Sequence, residues 1–268
     1  VKALWLVALL WLSACPPVLP DVPDAGGCAG CEALKHAHND YEHARPLLDA
    51  LDHGFQSVEA DVWLDGDDLG VSHTGAPFKG SLRALYLEPL GERVAANGGS
   101  VYGDRKPFYL WVDLKQGDAK LQDVLAAQLA EYPWISTWSD LGEDRAGAVV
   151  VVLTGHDAAK KALVARPGAR PYVRDSNSYS ADDPPVDGKW AFYAVNYYAF
   201  LAWDGAAPMP AAQRRQLQNL VNGTLAKGRP LRIFANPDTP AYWAEARDAG
   251  VAFVNTDKLA ELAAAFGP

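Results

Sequence analysis

The feature that most constrains this chain is an alternation that begins at residue 33 and runs almost to its end. Short runs rich in β-branched and aromatic residues trade places with longer runs of helical character. The strand-like runs are Ala33–His38, Ser57–Leu64, Phe108–Lys115, Ala146–Thr154, Ala169–Arg174, Trp190–Tyr198, Leu231–Asn236 and Val251–Thr256. The helix-like runs are Pro46–Asp52, Ser81–Asn97, Lys120–Glu131, Ala211–Leu225, Pro240–Ala249 and Lys258–Phe266. Such an alternation implies parallel strands joined by helical crossovers. Eight strands close an α/β barrel, the (β/α)8 TIM barrel, and 268 residues suit one such domain better than two. Asp65-Gly66-Asp67-Asp68 interrupts the second run as a hairpin turn, and it lacks the distal Glu that a calcium loop requires.

The first 32 residues do not fit this rhythm. Residues 1–15, VKALWLVALLWLSAC, place a lysine before an apolar run of ten and small residues before Cys15. The run is too short for a permanent membrane span and reads as a signal peptide. Leu12-Ser13-Ala14-Cys15 also resembles a lipobox, which implies cleavage before Cys15, a lipid on its thiol and membrane attachment in the cell envelope of a bacterium. Residues 16–32 are rich in Pro, Gly and Asp and read as a tether to the barrel domain at 33–268. Within the tether, Cys28 and Cys31 are too few for a zinc site, and in an exported protein a short disulfide is expected of them.

Lys plus Arg number 24 against 33 Asp plus Glu, a net charge of -9. No basic stripe is present, so nucleic acid is not an expected partner. A monomer is expected. An anionic substrate remains compatible, because a local metal ion and lysine can override the global field.

Strand parity then selects the candidate chemistry. Side chains two apart share a face, so His36 and His38 point together, as do Glu59 and Asp61, and Trp111, Asp113 and Lys115. Charges inside a barrel must be paired or bind metal, and barrel enzymes keep their chemistry at the C-terminal strand ends. Three carboxylates from neighbouring strands make a hard, oxygen-rich site suited to one divalent cation, Mg²⁺ or Ca²⁺. His38 and His73 can divide the roles of proton acceptor and donor near neutral pH. Lys115 can offset charge on a phosphate. His43, His53 and His156 read as ordinary surface or core histidines.

The series Ala37-His38, Ser57-Val-Glu-Ala-Asp61, Val71-Ser-His73, Asp113-Leu-Lys115 and Gly250 to Asp257 resembles the phospholipase-C-like phosphodiesterases. That superfamily includes glycerophosphodiester phosphodiesterases, phosphoinositide phospholipases C and sphingomyelinase D. His36-Ala-His-Asn-Asp-Tyr41, with Phe234-Ala-Asn-Pro-Asp238 and Asn255-Thr-Asp257, is most similar to a branch containing bacterial proteins and a fungal mitochondrial-inheritance protein. The resemblance spans roughly residues 34–263. It implies a metal-dependent phosphodiester hydrolase acting on a glycerophosphodiester or a phospholipid head group, with a cyclic phosphodiester as the first product. It implies His38 and His73 as the catalytic pair and Glu59, Asp61 and Asp113 as metal ligands. Lys115, Trp111 and Asn236 fall on the substrate side. Asn39 stands where glycerophosphodiesterases place Arg and where phosphoinositide phospholipases place a metal-ligating Asn, so it is a candidate fourth ligand. Two other readings compete: a non-catalytic, surface-anchored barrel that binds a ligand, and an amidohydrolase-type metal hydrolase built on His36-x-His38.

Overall fold

The computed structural model describes residues 33–206 and 208–267. The expected signal peptide, Cys15, and the tether with Cys28 and Cys31 lie outside the described residues. Eight parallel strands close on themselves: β1 (Leu34–Ala37), β2 (Ser57–Asp65), β3 (Phe108–Leu114), β4 (Val149–Gly155), β5 (Val173–Ser176), β6 (Trp190–Asn196), β7 (Leu231–Phe234) and β8 (Phe253–Thr256). Closure is made by β1, which pairs with β8 from Leu34↔Phe253 to Ala37↔Thr256 and with β2 at His36↔Ser57. Around the barrel run α1 (Leu48–Asp52), α2 (Glu88–Ala96), α3 (Ala119–Ala130), α4 (Asp157–Val164), α5 (Ala211–Ala226), α6 (Pro240–Ala249) and α7 (Leu259–Phe266). None of the described helices is long and apolar enough to cross a membrane.

Strand parity sorts the apolar residues into two cores. Val58, Ala60, Leu110, Val112, Val151 and Leu153 face the helices and join Leu121, Leu125, Leu163 and Leu217 in the outer core. Trp111, Val152, Val173, Phe192, Ala194 and Phe253 form a separate cluster inside the barrel. Trp111 meets Phe192 and Phe253 edge-on at 5.6 and 5.3 Å between ring centres. This plug fills the barrel interior below Asp61 and Asp113, in the layer of Glu59 and Arg232, which are in register with Trp111 and Phe253.

The expected elements recur, with differences at the fifth strand and at α4. The fifth strand is Val173–Ser176, whereas Ala169–Arg170 pairs antiparallel with Trp138–Ser139 outside the barrel. Pro171, which has no N–H to give a ladder, separates the two pieces. Helix α4 was not expected. It is only eight residues long, too short for a clear period, and the His156 ring caps it by accepting the Ala159 N–H. As in the expected set, no helix links β5 to β6. Pro184 and Pro185 lie in that segment, and their carbonyls accept hydrogen bonds from the buried Arg229 guanidinium. The hairpin turn at Asp65–Asp68 forms as expected and extends β2 into an antiparallel flange, Asp68–Val71.

Candidate active site

The C-terminal strand ends bring together side chains distant in sequence. Asp61 on β2 is in register with Asp113 on β3, and Asp113 with Thr154 on β4. Parity places Glu59 one layer below Asp61, beside Trp111. Glu59, Asp61 and Asp113 each offer an oxygen within 4.8 Å of the others. His38, just past β1, continues the pairing with β8 through its N–H to the Thr256 carbonyl. Its Nε2 lies 3.7 Å from Glu59 Oε2. His73 follows the flange and reaches back, with Nδ1 3.2 Å from Asp61 Oδ2. Lys115 bridges Asp61 and Asp113 at 2.7 and 2.9 Å.

Each charge has an identifiable partner. Glu59 is almost fully buried, and the Arg232 guanidinium holds both of its oxygens at 2.9 and 2.6 Å. Burial opposes the Glu59 carboxylate, but Arg232 outweighs it and keeps the pKa well below the usual range. Asp61 and Asp113 behave in the opposite way. Burial and the nearby Glu59 charge raise both against the pull of Lys115, and Asp61 reaches about 6. Once ionised, the two carboxylates carry more negative charge than the single Lys115 ammonium neutralises. Lys115 itself is raised, because the two aspartates outweigh its burial.

The histidines divide by environment. His36 is buried beneath the site, with Nδ1 2.7 Å from Ser57 Oγ. Burial, then Arg232, lowers its pKa to about 3, so it is neutral. His38 is raised instead: burial would lower it, but the hydrogen bond to Asp257 and the Glu59 charge prevail. Asp257 Oδ1 lies 2.8 Å from His38 Nδ1, which fixes the ring and leaves Nε2 turned toward Glu59. His73 is the more open of the pair, with 61% of its side chain exposed.

A cation fits the donor set. Asp61 Oδ2 is occupied by Tyr41, Lys115 and His73, while Asp61 Oδ1 is buried and has no hydrogen-bond partner among the described residues. A buried carboxylate oxygen without a donor, in a cluster with surplus negative charge, is the environment that a hard cation satisfies. Asp61 and Asp113 would hold it, with Glu59 and Asn39 beside them.

The site residues expected from sequence mostly converge, with one displaced. Trp111 is fully buried in the aromatic plug, so it floors the site and cannot line it for a substrate. Asn236, on the loop after β7, donates to the carbonyls of Pro237 and Asn255, and its buried Oδ1 has no partner among the described residues. His36 lies in the barrel core, which removes the His-x-His metal pair that an amidohydrolase reading needs. Sequence reasoning missed Arg232, Tyr41 and a role for Asp257. Parity could have found Arg232: in Leu231-Arg-Ile-Phe, Leu231 and Ile233 face the helices, so Arg232 must point inward and needs a buried anion.

A model of the AIM6-like phosphodiesterase domain matches residues 31–173. That stretch holds His38, Asn39, Glu59, Asp61, His73, Asp113 and Lys115, while Arg232, Asn236 and Asp257 lie beyond it. Altered inheritance of mitochondria protein 6 from Lachancea thermotolerans is 26% identical over 275 residues, covering 85% of this chain and 64% of the relative. Its namesake in Eremothecium gossypii is 35% identical over 142 residues, 45% of this chain and 36% of the relative. The Saccharomyces cerevisiae protein of the same name (strain S288c) is 25% identical over 267 residues, 84% and 68% of the two chains. The chain thus spans less than two thirds of the length of the first two relatives. A solved glycerophosphodiester phosphodiesterase from Agrobacterium tumefaciens shares the fold at TM-score 0.53 and 15% identity, over 87% of this chain and 99% of that one.

Proposed function

Because the chain belongs to the AIM6-like phosphodiesterase domain family, we propose that it is a metal-dependent phosphodiester hydrolase acting on a glycerophosphodiester or a phospholipid head group. The observation that carries this reading is the meeting of His38, His73 and Lys115 with three carboxylates at the C-terminal mouth of the barrel. Asp61 and Asp113, with Glu59 and Asn39, would hold one Mg²⁺ or Ca²⁺ there. The chemistry such a cation supplies is Lewis-acid polarisation of a phosphoryl oxygen.

The rest falls to the chain's own side chains. Asp257 accepts the Nδ1 proton of His38, so Nε2 is free to take a proton from the attacking hydroxyl. His73, open to solvent, gives a proton to the departing alkoxide. Lys115 offsets charge on the phosphoryl oxygens as the new P–O bond forms and the ester bond breaks. Where the substrate carries a hydroxyl beside the ester, that hydroxyl attacks and a cyclic phosphodiester results, which water can then open. The N-terminal segment supports a second part of the proposal, that the enzyme is exported and works anchored to a membrane in the cell envelope of a bacterium, as a monomer.

The test is hydrolysis of glycerophosphocholine, glycerophosphoinositol, a lysophospholipid, sphingomyelin and a chromogenic diester, with EDTA and then with Mg²⁺ or Ca²⁺ restored. Turnover that EDTA abolishes and one cation restores is expected. His38→Ala should lower it by about 10²–10⁴-fold while the protein stays folded. Silence across the panel with every cation would refute the reading, as would full activity in His38→Ala.

A further inference from the structure

Tyr41 has no role in the sequence reading, yet its hydroxyl sits among three residues that do. The oxygen is 2.7 Å from Asn39 Oδ1, 2.7 Å from Asp61 Oδ2 and 3.3 Å from His73 Nδ1. The ring is 1% exposed and packs in the outer core. The backbone that delivers it is equally specified. Asn39 adopts a left-handed conformation (φ 46°, ψ 41°) and opens the single turn Asp40–Glu42. Asp40 pins that turn by accepting the Leu47 N–H and, at 3.0 Å, the Tyr86 hydroxyl.

Counting protons fixes what this hydroxyl can do. A phenol has one proton to give, and two neighbours stand at 2.7 Å. Asp61 Oδ2 is ion-paired with the Lys115 ammonium and so stands as an acceptor, and the phenol donates to it. The Asn39 atom at 2.7 Å must then be a donor to the phenol oxygen. The structure places Oδ1 at that position; the two ends of an amide differ by a simple flip, and the flip that puts NH₂ on the phenol and the amide oxygen off it is the arrangement that one phenol proton can satisfy. Asp61 is fixed by the same contact. Its Oδ2 is held by Tyr41 and Lys115, and its Oδ1 is left without a partner among the described residues.

We propose that Tyr41 is a positioning residue: its hydroxyl sets the Asn39 amide oxygen-outward and locks the Asp61 carboxylate, so that both side chains present a free oxygen to a divalent cation. This inference rests on the metal-dependent reading above. Partners that orient a metal ligand from behind typically contribute 10–100-fold in affinity for the metal.

The experiment is calorimetric titration with Mn²⁺ of the full chain, of Tyr41→Phe, of Asn39→Ala and of the double variant, with thermal melts as the fold control. Tyr41→Phe keeps the ring in the core and should raise the Mn²⁺ Kd about 10–100-fold with little change in Tm. Because Tyr41 acts in part through Asn39, the double variant should lose less than the product of the two single losses. Tyr41→Phe binding within threefold of the parent, or losses that multiply fully, would overturn the proposal while leaving the metal site standing. A parent chain that takes up no Mn²⁺ would overturn the metal reading itself, and Tyr41 with it. If Tyr41→Phe does not fold, Asn39→Ala, at a half-buried position, decides: undiminished Mn²⁺ affinity there overturns the proposal.

Discussion

Gly155, the last residue of β4, permits a sharp test of how the site is held. Its backbone lies at φ +80°, and a Cβ built there would stand 1.8 Å from Asp113 Oδ1 and 2.7 Å from the Leu114 carbonyl oxygen. Relaxed carbon–oxygen contacts begin near about 3.3 Å. In Gly155→Ala the Asp113 carboxylate would therefore have to retreat by roughly 1.5 Å, since the Leu114 carbonyl is backbone and cannot yield as far. A displacement of about 1 Å in a catalytic constellation can cost about 10²-fold in rate. The left-handed conformation adds about 1–2 kcal/mol of strain for any residue with a Cβ, or about 2–8 °C in Tm for a domain of this size. Gly168→Ala isolates the strain, because Gly168 has φ +95° and no atom within 4 Å of the added carbon. Both variants should melt lower, Gly155→Ala by more than Gly168→Ala because its Cβ also meets Asp113 and the Leu114 carbonyl. Only Gly155→Ala should also lose about 100-fold in cation-dependent turnover of a chromogenic diester, and its Mn²⁺ affinity should fall with it. Turnover and Mn²⁺ affinity in Gly155→Ala within threefold of Gly168→Ala would refute the argument that Gly155 makes room for Asp113.

Two further outcomes concern buried charge. Arg232→Met strands Glu59 in the barrel interior and should cost about 3–5 kcal/mol in urea denaturation, against a smaller loss for Arg232→Lys, which keeps the charge without the fork; a loss below about 1 kcal/mol in Arg232→Met would show that Glu59 is not held as described. Asp40 is raised to about 7, chiefly by burial. Its folded-state pKa thus exceeds its unfolded value, so the folded chain takes up a proton first as pH falls, and this group's contribution to stability declines as pH rises from about 4 to 7. In Asp40→Asn that decline should disappear, flattening the stability profile over this window by at most about 4 kcal/mol relative to the parent; parallel profiles from urea melts at pH 4.5 and 7.5 would contradict it.

How far the fold could be read from sequence depended on the length of each signal. Phe108–Leu114 and Val149–Gly155 are long runs of strand formers, and both were found to within about three residues. Val173–Ser176 was displaced because Ala169–Arg170 and the barrel strand read as one run across Pro171, and only tertiary pairing shows that the first piece leaves the barrel. The site was legible where parity and register acted together. Glu59, Asp61 and Asp113 lie two apart or in register on adjacent strands, and they do meet. Trp111 shares their parity but sits in the layer of Glu59, one below Asp61 and Asp113, and sequence carries no measure of depth. Arg232 and Asp257 come from β7 and the end of β8, on the far side of the closure, so their contacts to Glu59 and His38 depend on the barrel shutting at β1–β8.

That closure also bears on how many cations the site can take. Three carboxylates meet two cationic side chains, Arg232 and Lys115, which leaves one surplus negative charge. His36 is held neutral and adds nothing. Burial first, and then the Glu59 charge, raises Asp61 and Asp113, so the surplus is held in a poorly solvated layer. One divalent cation would turn that surplus into a single positive charge, the complement of a phosphodiester's single negative one. A second would leave three positive charges in the same layer, with no further described carboxylate in the cluster to offset them. Arg232 therefore does more than steady Glu59. By pairing with both of its oxygens it offsets one carboxylate's charge in the cluster, and the balance that remains favours one divalent cation over two.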